Sequence, residues 1–153
     1  MKRLLKQIVL KYLAEETVIP DKHVQEKYRK SGLTEDQAME IKRRIHIAFE
    51  TDKIYRQNDL SLMQLANHID QDRYKISEVI NRFHDKNFYS LLNSYRIAEA
   101  KALLINEPFL SVKAIMYEVG FNSKNSFYNA FKKDTGSSPN DFRLMGRFPA
   151  QLA

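Results

Sequence analysis

Residues 111–139 read SVKAIMYEVGFNSKNSFYNAFKKDTGSSP, and their apolar positions predict two short helices separated by a tight turn. Ser111 and Ser123 stand where helix N-caps are expected, and Gly120 ends the first helix at a position suited to positive φ. The second helix has an apolar face made of Phe127, Ala130 and Phe131. Its other positions are polar: Lys124, Asn125, Ser126, Tyr128, Asn129 and Lys132. This pattern predicts a helix-turn-helix unit whose second helix can enter a DNA major groove.

A second copy of the pattern lies about 50 residues earlier, as expected for a duplicated supersecondary unit. Residues 65–70 align with 115–120, and each stretch ends an apolar helix at a residue able to adopt positive φ. Residues 85–88 align with 136–139, which places a capping Asn or Ser directly before a new helix.

The predicted fold class is therefore all-α, with two helix-turn-helix units at about 61–83 and 111–134 joined by a long linker helix over 88–105. At 1.5 Å per residue the linker spans about 27 Å, close to the roughly 34 Å between successive major-groove faces. We expect 59–146 to form the DNA-binding domain and 147–153 a tail.

Residues 1–58 are predicted to form an N-terminal helical extension. An amphipathic helix is expected from Met1 to about Glu16, because its apolar residues recur at helical spacing. This helix would pack on the domain or on a second copy of the chain, and a membrane-surface segment is the alternative. A short helix within a linker is expected over 18–31. A capping box at Thr34 then starts a helix that buries Ala38, Ile41, Ile45, Ala48 and Phe49.

Composition narrows the function classes. The chain has no Cys, which excludes disulfides and thiol chemistry and suits a reducing cytoplasm. No apolar run is long enough to cross a bilayer, so we expect a cytoplasmic protein without a membrane span. The four histidines show no metal-ligand spacing, so we predict no enzyme, no metal and no cofactor. A net charge of +6 favours an anionic partner.

The stretch 115–143 and the earlier LNSYRIAEAKALL at 92–104 resemble the AraC/XylS family of bacterial transcription regulators, in their C-terminal DNA-binding domain. The resemblance covers 60–143, more than half of the chain. It implies a sequence-specific transcription regulator that inserts two recognition helices into successive major grooves of double-stranded DNA. It also implies that Arg96, in the linker helix, serves the structure.

The resemblance also places the DNA contacts. In the second unit the base-reading positions are Lys124, Asn125, Ser126 and Asn129. In the first unit they are Tyr74, Lys75, Ser77 and Glu78. Phosphate contacts are expected from Arg73, Arg82, Lys132 and Lys133. Asn125 and Asn129 lie one helical turn apart, and Asn can bind adenine through two hydrogen bonds.

The first unit departs from the family pattern. Asp70 and Asp85 replace usual glycines, and Glu78 stands where arginine is frequent, although its carboxylate can accept a hydrogen bond from a cytosine amino group. Asp70, Asp72 and Glu78 motivate an alternative: a helical protein-interaction module with a degenerate helix-turn-helix fold and little sequence-specific DNA binding.

Residues 76–81 and 87–96 are most similar to regulators that form the cytoplasmic end of larger bacterial sensor proteins. A sensing part would then lie outside these 153 residues, unless the chain is a stand-alone short regulator. Expected partners besides DNA are a second copy of the chain, bound through the N-terminal helices, and RNA polymerase.

Overall fold

A computed structural model of the protein describes residues 32–147, and within this range the structure is all helical, as predicted. The helices are α1 (Glu35–Glu50), α2 (Leu62–Ile69), α3 (Arg73–His84), α4 (Phe88–Asn106), α5 (Val112–Glu118), α6 (Lys124–Thr135) and α7 (Pro139–Arg147). A 3-10 turn, Ile54–Arg56, lies between α1 and α2. The amphipathic helix, the short linker helix and most of the tail that the sequence predicts lie outside the described residues.

Helix α1 begins at the predicted capping box. The Gln37 backbone N–H donates to Thr34 Oγ1 at 3.2 Å, and Gln37 Oε1 accepts from the Thr34 backbone N–H at 3.3 Å. The predicted buried stripe is confirmed, because Ala38, Ile41, Ile45, Ala48 and Phe49 are the buried residues of this helix. Helix α1 packs against both α2 and α3.

The described chain forms two compact subdomains. Subdomain 1 contains the described residues up to Lys53 together with Leu60–Leu91, and therefore holds α1, α2, α3 and the start of α4. Subdomain 2 contains Ile54–Asp59 and the residues from Leu92 onward. The boundary expected between residues 58 and 59 stays a prediction about which part of the chain binds DNA.

Aromatic side chains fill the core of subdomain 2. Phe127 lies between Phe121 and Phe131, with ring centroids 5.3 and 5.7 Å away, and Phe142 meets Phe131 edge-on at 5.5 Å. The apolar face predicted from Phe127 and Phe131 is confirmed by their burial, and Phe88 and Phe121 are buried as well. Phe83 is half-buried in subdomain 1.

The segment Ile54–Asp59 is held in subdomain 2 by Arg96 of α4. Arg96 Nε donates to the Tyr55 carbonyl oxygen and Nη2 to the Gln57 carbonyl oxygen, each at 2.7 Å. The side chain is 6% exposed, and burial lowers the pKa of its guanidinium to about 10, so it stays charged at neutral pH. These contacts agree with the structural role implied for Arg96.

Arg56 and Gly120 complete the attachment of this segment. Arg56 Nε donates to Glu99 Oε2 of α4 at 3.0 Å, and its Nη1 lies 3.2 Å from Glu118 Oε1 at the end of α5. Gly120 has φ +97°, and a Cβ at this position would collide with the carbonyl oxygens of Tyr55 and Arg56. Residues that precede the first helix-turn-helix unit thus support the second one.

Candidate nucleic-acid interface

The second helix-turn-helix unit has the local structure that its sequence predicts. Ser111 Oγ accepts from the Ala114 backbone N–H at 3.0 Å and caps α5. Gly120 takes the left-handed conformation that turns the chain, and Ser123 Oγ accepts from the Ser126 backbone N–H at 3.4 Å. Phe127 and Phe131 are buried on one side of α6, which fixes the opposite side toward solvent.

The solvent-facing side of α6 carries the predicted DNA contacts of this unit. All six predicted residues are exposed: Lys124, Asn125, Ser126, Asn129, Lys132 and Lys133. Neither Lys132 nor Lys133 forms an ion pair with another residue of the range 32–147. Asp134 is the acidic residue of this helix, and Lys101 Nζ lies 2.8 Å from its Oδ2. The face therefore presents amides and free cations.

Tyr128 requires a correction within α6. The sequence pattern predicts that it lies with the polar residues on the exposed side of the helix, but it is half-buried and its ring meets Phe127 edge-on at 5.8 Å. The Lys124 Nζ lies 5.3 Å from the Tyr128 ring centroid, close enough for a cation–π contact. Tyr128 thus supports Lys124 from the side of the helix.

The first helix-turn-helix unit reaches the same geometry with acidic residues. A capping box joins Ser61 and Gln64 at the start of α2, and Asp70 ends that helix with φ 51°. Asp72 caps α3, because its Oδ1 accepts from the backbone N–H groups of Tyr74 at 2.9 Å and Lys75 at 3.2 Å. Sequence reasoning counted Asp72 only as a negative charge, although an Asp directly before a helix is a capping signal.

The four base-reading positions predicted on α3 do not share one exposed face. Tyr74 is 66% exposed, and Lys75 and Ser77 are half-buried. Glu78 is 7% exposed and lies in the core of subdomain 1, where its Oε2 has no hydrogen-bond partner among the described residues. The Glu78 carboxylate is therefore buried and does not lie on an exposed face of α3.

The two predicted phosphate ligands of α3 have different surroundings. Arg73 Nη2 donates to Tyr74 Oη at 2.7 Å, and its guanidinium carbon lies 4.7 Å from the Tyr74 ring centroid. Arg82 is ion-paired, with Nη2 2.5 Å from Glu35 Oε2 at the start of α1. Arg73 is therefore bordered by an aromatic ring, and Arg82 by a carboxylate.

None of the helices between residues 32 and 147 has both the length and the apolar composition that a bilayer span requires. In the same range, no three His, Asp or Glu side chains come together as metal ligands.

Residues 65–145 match a family model described as a helix-turn-helix domain. The xylose operon regulatory protein of Haemophilus influenzae is 28% identical over 81 residues, which make up 53% of this chain and 21% of that protein. An uncharacterized HTH-type transcriptional regulator of Pseudoalteromonas carrageenovora is 30% identical over 86 residues, 56% of this chain and 50% of that protein. The chain thus spans half or less of the length of these relatives.

Solved structures share the fold. One is the C-terminal domain of AraT, a response regulator from Geobacillus stearothermophilus, with a TM-score of 0.59 and 28% sequence identity. The match covers 74% of this chain and 88% of that domain. The C-terminal domain of the two-component response regulator yesN from Fusobacterium nucleatum has a TM-score of 0.57 and 24% identity, with 71% and 98% covered.

These matches confirm the resemblance that the sequence predicts, and the matched family consists of regulators rather than enzymes. Because the family match covers more than half of the residues, the chain belongs to the DNA-binding transcription regulators with an AraC-type helix-turn-helix domain.

Proposed function

We propose that the protein is a sequence-specific transcription regulator that places α3 and α6 in successive major grooves of one DNA duplex. The observation that carries this proposal is the exposed face of α6, which presents two amides and three lysines, while the acidic residue of the same helix, Asp134, is ion-paired with Lys101. A cationic, amide-bearing helix of this kind suits a groove lined by base edges and flanked by phosphates.

Base readout by α6 follows from its side-chain chemistry. Asn125 and Asn129 are exposed one turn apart, and each can bind adenine N6 and N7 in the major groove. Lys124 and Ser126 stand at the N-terminal end of the helix, the part that reaches base edges in helix-turn-helix complexes. Lys132 and Lys133 lie in the last turn of the helix, and we propose them as phosphate ligands.

On α3 the proposed contacts are fewer. Tyr74, Lys75 and Ser77 retain exposed surface, and Arg73 is proposed as a phosphate ligand. We leave Glu78 out of the base-reading set, since its burial keeps the carboxylate away from the solvent side of the helix. Helix α4 has 19 residues, or roughly 28 Å, a length that supports the use of two neighbouring grooves.

The cellular setting belongs to the same proposal. We infer that the protein acts in the cytoplasm, forms a homodimer through the helices predicted in its N-terminal part and contacts RNA polymerase from its DNA site. The family match over residues 65–145 supports the DNA partner, and the sequence pattern of the N-terminal part motivates the homodimer. The rival function, a protein-interaction module, is favoured by the acidic residues of the first unit, Asp70, Asp72 and Glu78.

DNA binding in a salt series separates the two functions. A groove-binding regulator loses affinity steeply as salt rises and keeps a preference for sites selected from random duplexes. The absence of DNA binding at low salt would support the interaction module instead.

Base readout is tested by Asn129→Ala. We expect the preference for the selected site over random DNA to fall roughly 10- to 100-fold, because a bidentate amide contact is lost. The affinity for random DNA should change little. Asn140→Ala, which removes an exposed amide from α7, is the matched control and should leave the preference intact. An equal loss on selected and random DNA after Asn129→Ala contradicts the assignment.

A further inference from the structure

Arg82 stands apart from the other predicted phosphate ligands because an acidic side chain of the same subdomain already holds it. Its Nη2 is 2.5 Å from Glu35 Oε2, and its guanidinium carbon lies 5.3 Å from the Phe83 ring centroid. Arg73, Lys132 and Lys133 form no ion pair within residues 32–147. Among the four predicted phosphate ligands, Arg82 is therefore the one that is ion-paired within the described residues.

The local structure of α1 fixes the position of Glu35. It is the first residue of the helix, directly after the Thr34 cap, and the capping box with Gln37 holds that turn. Helix α1 packs along α3, which brings this first turn to the C-terminal end of α3, where Arg82 lies. The carboxylate is thus held beside Arg82 by the packing of two helices.

A carboxylate and a DNA phosphate compete for the same guanidinium. Both are anionic acceptors that an arginine can bind through two parallel hydrogen bonds, and a guanidinium engaged with one is not fully available to the other. The Arg82 side chain is 30% exposed and that of Glu35 is 61% exposed, so the pair is open to solvent. Exposed pairs of this kind are weak, which makes their exchange with phosphate feasible.

We propose that Glu35 is an intramolecular competitor of the DNA backbone: it holds Arg82 in the free protein and thereby lowers the affinity of the first helix-turn-helix unit for DNA of any sequence. This inference rests on the proposed function, because it requires a phosphate backbone beside α3. It assigns a role in DNA affinity to a residue outside both helix-turn-helix units.

A double-mutant cycle tests the proposal. The dissociation constant for a random-sequence duplex at low salt is measured for the wild type, Glu35→Gln, Arg82→Gln and the double variant. We expect Glu35→Gln to tighten binding about 3- to 5-fold, in line with the strength of an exposed ion pair. Arg82→Gln should have little effect alone and should remove the whole gain when combined with Glu35→Gln. The salt slope should steepen by about 0.9 in Glu35→Gln alone, as expected for one added phosphate contact.

Glu40→Gln is the matched control. Glu40 lies on the same helix as Glu35 and pairs with Arg43 and Arg44 rather than with a residue of α3. Its substitution by Gln removes the same charge as Glu35→Gln. It should leave the dissociation constant unchanged. A gain as large as that of Glu35→Gln, or a gain that survives Arg82→Gln, overturns the proposal. If the wild type binds DNA and Glu35→Gln has no effect, only this inference is wrong. If no variant binds DNA at low salt, the proposed function is wrong as well.

Discussion

The two helix-turn-helix units build the same turn from different residues. After α2 the left-handed position is taken by Asp70, with φ 51°, and the next helix is capped by Asp72. After α5 the chain turns at Gly120, with φ 97°, and Ser123 caps the next helix. Aspartate tolerates the left-handed region and caps a helix as well as serine does, so both units fold.

The aspartates at the turn of the first unit make its net charge different from that of the second unit. Residues 70–85 contain three basic and four acidic side chains, whereas residues 120–136 contain three basic and one acidic. That one acid, Asp134, is paired with Lys101. Backbone geometry and electrostatic attraction are therefore set independently. We expect the second unit to supply most of the sequence-independent affinity, which depends on cations near phosphates.

Gly120→Ala gives the largest effect that the comparison predicts. The added Cβ meets the carbonyl oxygens of Tyr55 and Arg56, and φ +97° is strained for any L residue. We expect the free energy of unfolding of subdomain 2 to fall by about 4 kcal/mol or more in urea denaturation. Gly136→Ala has a positive φ but open space around the new Cβ, so it should cost only about 1 kcal/mol. Equal costs would show that the close approach at Gly120 is not present.

Acid should weaken the first unit before the second. His46, His68 and His84 all lie in subdomain 1, and no other histidine occurs in the described range. Burial lowers the pKa of His84 to about 4, with smaller contributions from the positive charges of Lys42 and Lys86 and from His46. An unfolded histidine titrates near 6.5, so between pH 6.5 and 4 the unfolded chain binds a proton that the folded chain does not.

Stability should therefore fall as the pH drops through this window, by on the order of 2 kcal/mol at pH 4.5. The measurement is the free energy of unfolding at pH 7 and pH 4.5, with hydrogen exchange to assign the loss to subdomain 1. His84→Asn should remove most of this pH dependence. His68→Asn, which changes an exposed histidine paired with Asp52, is the control. An unchanged pH profile in His84→Asn would rule out the buried imidazole as its source.

The smallest expected effect concerns the aspartates whose backbone has the left-handed conformation. Asp70→Gly relieves the strain of a non-glycine residue at φ 51° and should raise the free energy of unfolding of subdomain 1 by about 1 kcal/mol. Asp36→Gly, at an exposed position with helical backbone in α1, should lower it by a similar amount. Thermal melts of the two variants check the opposite signs. Destabilisation by Asp70→Gly would mean that its side chain contributes more than its strain costs.

Sequence reasoning succeeded where structure depends on local spacing. The caps at Thr34, Ser111 and Ser123 and the buried stripe of α1 were all predicted, because capping and helical periodicity involve residues only a few positions apart. The all-α class follows from the same signals. The exposure of the residues predicted to contact DNA on α6 follows from the same kind of signal, since burial of Phe127 and Phe131 fixes the orientation of the helix.

Prediction from the sequence failed where the structure depends on packing between segments that are far apart in the chain. Glu78 lies at the edge of the apolar face of α3, and its burial depends on the packing of that helix in subdomain 1, which no local pattern contains. The role of Ile54–Asp59 was also missed, because its partners Arg96, Glu99 and Gly120 are about 40 or more residues away. The only available signal was the structural role that the resemblance implied for Arg96.

The attachment of Ile54–Asp59 has a consequence for how such regulators can be recombined. The two helix-turn-helix units and their linker helix look like a segment that could be exchanged as a whole. Arg96 of the linker helix, however, donates to two backbone carbonyls of residues that precede the first unit. A chimaera joined at residue 60 would replace Ile54–Asp59 and lose the contacts of Arg56 with Glu99 and Glu118, whereas a junction at 53/54 would transfer Arg96 together with the segment that it holds. The exchangeable segment is thus longer than the repeat, and evolutionary crossovers within it are expected to spare the six residues before Leu60.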